Sequence, residues 1–150
     1  MVLGSIAGGC SRSDNHAAAS AAHAHEHNPP HGGTAVVLGD ENYHLELVHN
    51  PAAGVLTAYV LDGHMENFIR TNVTSFEAVA RVAGEARTLT FRAVANAATG
   101  ETVGDTSQFE AQADWLKTAT RFDGTLKNLT VRGTAFNDVA FRFPERNERP

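Results

Sequence analysis

The sequence predicts an all-β domain, an antiparallel β-sandwich or a partly open barrel of about seven to eight short strands. Three observations predict it. Apolar residues alternate with polar ones over short stretches, Gly, Pro, Asn and Asp punctuate the chain between them at near-regular spacing, and within the expected domain a helix is assigned only at 113–119. A hydrophobic fraction of 42% with 19% charged residues provides for one core within 150 residues.

The elements follow in order. Residues 11–30 are mostly Ala, Ser, His, Asn and Pro, too poor in large apolar side chains to offset their ordering entropy, and read as a tether. Pro29 and Pro30 mark its end, so the folded domain is expected over 31–144, with a polar tail at 145–150. "TAVVLG" (34–39) is a short apolar strand. In "YHLELV" (43–48), Tyr43, Leu45 and Leu47 share one face, while His44, Glu46 and Val48 share the other. "HNPAAG" is a turn and "VLTAYVL" (55–61) the returning strand of a hairpin, which sets residues 43 or 44 across from 60 or 61.

Asp62-Gly63 is a further turn. "SFEAVARVA" (75–83) and "RTLTFRAVA" (87–95) pair around Gly84, although Ala and Glu make helix a competitor for the first. "SQFEAQ" (107–112) is a strand, "ADWLKTA" a helical turn or two, and "GTLKNLTVRG" (124–133) and "DVAFRF" (138–143) are the last strands. Trp115 and the phenylalanines Phe76, Phe91, Phe109, Phe122, Phe136, Phe141 and Phe143 read as core.

A formal charge of −5, with Lys117 and Lys127 the only lysines, argues against nucleic acid, which requires a basic face. One cysteine makes neither an internal disulfide nor a paired-cysteine zinc site. Its position is informative, because Cys10 closes the apolar stretch "VLGSIAGGC" with small residues before it. Residues 1–10 therefore resemble a short or atypical lipobox of bacterial lipoproteins, though no Lys or Arg precedes the apolar run. The resemblance implies a lipid on Cys10 and a periplasmic, envelope-anchored protein, with Ser11 compatible with outer-membrane delivery.

All eight histidines fall between His16 and His64. His44 and Glu46 leave one face of a strand, His64 lies just past the end of the partner strand, and His31 with Gly32-Gly33 opens the neighbouring one. These four form the expected metal site, since imidazole and carboxylate together suit a transition-metal ion such as copper or zinc. Met65 and Glu66 are possible additional ligands, Glu66 also as an acceptor orienting an imidazole. His23, His25 and His27 read as a capture tract on the tether. Taken singly, each histidine has a structural reading, and His49 is assigned only that one; their confinement to one half of the chain favours metal.

Residues 31–64, from "HGGTAVVLG" through "YHLELV" to "YVLDGH", resemble small periplasmic heavy-metal-binding domains and lipoproteins associated with cation-efflux systems. That resemblance implies periplasmic binding of a transition metal with His31, His44, Glu46 and His64 at the matching positions, and an efflux component as partner. No nucleophile elbow, phosphate-binding loop or cysteine–histidine pair points to an enzyme. Two alternatives remain open: a zinc hydrolase using His31, His44 and His64 with Glu66 as base, and a lipid-anchored interaction module that needs no metal.

Overall fold

The computed structural model describes residues 27–145, together with Met1 and Gly4. The alternating segments form eight strands: β1 (Thr34–Leu38), β2 (Tyr43–Asn50), β3 (Val55–Asp62), β4 (Ser75–Val82), β5 (Glu85–Ala93), β6 (Gln108–Gln112), β7 (Phe122–Val131) and β8 (Thr134–Phe143). They make one antiparallel sheet in the order β1-β2-β3-β6-β5-β4-β7-β8, curled into a nearly closed barrel rather than split into two facing sheets. Of the two architectures expected from sequence, the barrel is the one formed. Near the seam between the edge strands β1 and β8, Tyr43 of β2 and Phe136 of β8 pack edge to face at 6.1 Å, although no ladder joins β1 to β8 among the described residues.

Turn chemistry sets the hairpins. Ala83-Gly84 and Arg132-Gly133 both have positive φ at each position (48° and 86°, 48° and 84°), the conformation of two-residue turns whose twist matches that of the strands. Such a turn has no slack, so β8 begins at Thr134 rather than at 138. The helical pattern near 113–119 is realised only as a 3₁₀ turn at Asp114–Lys117, which buries Leu116 completely and sets Trp115 edge-on to Phe122 at 5.6 Å.

Alternate residues of every strand point into the barrel. Leu45 and Leu47 from β2, Leu56, Ala58 and Val60 from β3, and Phe76, Phe91 and Phe109 from β4, β5 and β6 all lie in one cluster. Gly124 on β7 is opposite Phe141 on β8, and the Phe141 ring occupies the space that a Cβ at 124 would take. No helix among the described residues is long and apolar enough to cross a membrane.

One feature sets β2 apart. His44, Leu45, Glu46 and Leu47 are all buried, so this strand is covered on its outer face as well as its inner one. The cover consists of residues 27–33, which fold back over the sheet, and of the turn after β3, whose Met65 packs with Ala35, Leu61 and Tyr59 in a second, smaller apolar cluster.

Candidate functional site

The period-two rule places His44 and Glu46 on the outer face of β2, and the ladder places Leu61 across from His44 and Tyr59 across from Glu46. Around these two positions the structure builds two adjoining groups of side chains.

The first group is a cluster of imidazoles. His44 is fully buried, and its Nδ1 lies 3.3 Å from the carbonyl oxygen of Asp62. A carbonyl only accepts, so Nδ1 carries the proton in that bond and Nε2 presents a lone pair. His27, also buried, lies between the other two, with ring centroids 5.0 Å from His44 and 6.0 Å from His64. His64 is exposed at the rim. An imidazole nitrogen about 2.0–2.1 Å from a metal puts the ring centroid about 3.2 Å from it, so two rings at a tetrahedral angle stand about 5.2 Å apart. The His27–His44 spacing is close to that value and the His27–His64 spacing somewhat wider. As they stand the rings are not closed on an ion position, and among the described residues no group of three His, Cys, Asp or Glu side chains is.

The turn that presents His64 is organised by Asp62. Its carboxylate accepts from the Glu66 N–H at 2.9 Å and the Asn67 side-chain amide at 2.6 Å, while its carbonyl accepts from the Met65 N–H at 3.1 Å. Partial burial alone would raise the Asp62 carboxyl. The Asn67 amide and the backbone N–H groups of Glu66, Asn67 and His64 outweigh it and hold the group below the usual carboxylate range. With the folded value depressed, the contribution of Asp62 is complete above the unfolded value near 4 and is lost as pH falls through the folded value. Asp62→Ala is expected to loosen the 62–67 turn, to cost about 1 kcal/mol at neutral pH, and to cost little once the carboxyl of the unsubstituted chain is protonated. Urea unfolding of both chains across that range checks it, and a pH-independent difference would contradict it.

The second group is centred on Glu46. Its Oε1 accepts from the backbone N–H groups of His31 and Gly33 at 2.8 and 2.9 Å, and its Oε2 accepts from His31 Nδ1 at 2.8 Å. The His31 ring stacks on Tyr59 with centroids 4.1 Å apart and tilts toward Phe68 at 5.7 Å. A small cavity of about 180 Å³ adjoins it, lined on the far side by Asn96, Thr99, Glu101, Ser107 and Gln108.

The structure thus redistributes the residues expected from sequence. His44 and His64 are joined by His27, while His31 and Glu46 pair with each other beside them. Met65 is buried among Ala35, Leu61 and Tyr59, and Glu66 is exposed with its amide on Asp62. The expected tether boundary at residue 30 needs correction at one point, since His27 and Pro29 are buried in the fold rather than part of a solvated leader. The physical reason is the turn over 29–32, closed by the Gly32 N–H on the Pro29 carbonyl at 3.0 Å, which directs the chain back across β2. Cys10, His23 and His25 lie outside the described residues. His49, read as structural, hydrogen-bonds the Leu116 carbonyl at 2.7 Å. Asp62 and Tyr59 were not singled out from sequence as site residues; the Asp-Gly signal at 62–63 indicated a turn but not the network that the Asp62 carboxylate makes.

Comparison with known proteins returns no matching family model, no matching characterised protein and no matching solved structure.

Proposed function

We propose that this chain is an envelope-anchored, periplasmic protein that binds a transition-metal ion, copper or zinc, through His27, His44 and His64, in metal homeostasis or resistance. The observation that carries the reading is the convergence of three imidazoles from three separate segments: the strap before β1, the start of β2, and the turn after β3. The segments differ in freedom, which suits loading. His44 is fixed by the sheet and by the Asp62 carbonyl, and the exposed His64 has room to rotate and close the set. A carbonyl partner on Nδ1 is also the usual outer support of an imidazole that binds metal through Nε2. The reading is one of binding and handover rather than catalysis, with the lipid on Cys10 holding the protein at the membrane and an efflux component receiving the ion.

Calorimetric titration of the full chain with Cu²⁺ and with Zn²⁺ tests it. One ion per chain, bound more tightly than about 1 μM, is expected for at least one metal, and no binding of that strength overturns the proposal. The double variant His23→Ala/His25→Ala separates the folded cluster from the leader. Its affinity is expected to match that of the unsubstituted chain, and loss of all binding in it would assign the metal to the leader instead.

A further inference from the structure

We infer that Glu46 acts as a positioning residue for the metal site, docking the 27–33 strap so that metal occupancy and strap docking become one linked equilibrium. This rests on the metal-site reading above and adds the device that controls it. His44 and His64 belong to β2 and to the turn bound to β3, so they remain in place whether or not the strap is down. His27 has no such support from the sheet's own ladders. It precedes β1 and comes to His44 only because the chain reverses at the Pro29–Gly32 turn and lies across the outer face.

One buried carboxylate anchors the reversed strap. Both Glu46 oxygens are engaged by it, through the His31 N–H, the Gly33 N–H and the His31 ring, while the His31 ring also rests on Tyr59. The fit is close. A Cβ on Gly33 would stand 2.5 Å from the Leu47 carbonyl oxygen and 2.9 Å from Glu46 Cγ, so only glycine lets the strap approach β2 this nearly. Glu46 therefore touches no ion in this arrangement; it determines whether the third imidazole is present.

Linkage makes the effect reciprocal. If docking tightens metal binding by a factor of about ten, bound metal must favour docking by the same factor of about ten. Metal loading then fastens the N-terminal segment to the barrel, and release of the strap opens the site to a receiving protein.

Three full-length variants and two readouts test this. Affinity for Cu²⁺ and the number of coordinated imidazoles, counted by pulsed electron paramagnetic resonance, report the site. Hydrogen exchange at the His31 and Gly33 amides reports the strap, and exchange in β2 and β3 confirms the barrel. Glu46→Ala is expected to bind about 10–100-fold more weakly, with two imidazoles instead of three and an unprotected strap. Gly33→Ala, which leaves the carboxylate intact, is expected to give the same signature.

Glu46→Gln keeps an oxygen for the two backbone N–H groups and should restore most of the affinity and the third imidazole. In the unsubstituted chain, metal should slow exchange at both strap amides. A Glu46→Ala chain that loses strap protection yet binds three imidazoles with unchanged affinity overturns the inference and leaves the metal site standing. An unsubstituted chain that binds no metal while Glu46 still protects the strap overturns the metal reading, and the linkage with it.

Discussion

Alanine at position 44 is expected to weaken Cu²⁺ or Zn²⁺ binding by at least about a hundredfold, roughly 2.7 kcal/mol. In the proposed site, His44 is the ligand whose loss is least able to be repaired. Its backbone is held in ladders on both sides, opposite Val37 of β1 and Leu61 of β3, and its ring is fully buried against His27. His64 stands on an exposed turn where water or a neighbouring side chain can replace it, and His27 arrives on a strap. Removing a buried ring also destabilises the metal-free chain, so the informative quantity is the stabilisation that metal adds. At a free metal concentration about 100 times the unsubstituted Kd, that gain is about 2.7 kcal/mol for the unsubstituted chain and about 0.4 kcal/mol for a variant bound a hundredfold more weakly. Thermal unfolding with and without metal measures both. His49→Ala removes an imidazole that serves the Leu116 carbonyl and should leave the metal-induced gain intact. Equal gains in the His44→Ala and unsubstituted chains would eliminate the site.

The strands were readable because their information is local. Leu45 and Leu47 had to share a face opposite His44 and Glu46, and the turn at 51–54 fixed the register that places Leu61 across from His44. Barrel against sandwich was not readable, because that choice depends on β3 meeting β6 and β4 meeting β7, pairs with no short-range signal. The same division runs through the site. The shared face of His44 and Glu46 is a local fact, but whether that face is open depends on a distant segment covering it. Composition assigned His27 to a solvated leader, since nothing in "HAHEHNPP" resembles a core. The contrary signal lay in the residues after it: Pro30 suits the first central position of a β-turn, and Gly33 permits the close approach that Glu46 secures.

The outcome for Glu46 has a physical cause as well. A carboxylate beside a histidine on one strand face looks like a pair of ligands when spacing is all that is known. Once the face is covered, the first demand on a buried carboxylate is hydrogen bonds to its own oxygens, and backbone N–H groups of the covering strap meet it. Burial gave Glu46, expected as a ligand, hydrogen-bond partners on the segment that carries His27.

Phe91→Ala is expected to cost about 3–5 kcal/mol, a large share of the roughly 5–15 kcal/mol that holds a domain of this kind together. Phe91 on β5 is almost wholly buried and stacks on Phe76 of β4 with centroids 4.7 Å apart and planes 9° from parallel, while Phe76 meets Phe109 of β6 edge-on at 5.1 Å. The position matters because the ladder at this joint is short. The β5–β6 register comprises only Arg92↔Glu110 and Ala93↔Phe109, whereas β4–β5 runs from Ser75↔Arg92 to Val82↔Glu85. Side-chain packing among the three rings must therefore do much of what backbone pairing does elsewhere in joining β1-β2-β3-β6 to β5-β4-β7-β8. Deleting the ring leaves a cavity that the flanking rings and strands cannot readily fill, so relaxation should recover little of the loss. Phe91→Leu retains much of the volume and should cost about 1–2 kcal/mol. Urea unfolding of the three chains measures both costs, and a loss below about 1 kcal/mol for Phe91→Ala would mean that the short ladder, not the aromatic cluster, carries the joint. Metal affinity of the folded fraction should be unchanged, because the imidazoles lie on the outer face of β2 and beside the end of β3, across the sheet from this cluster.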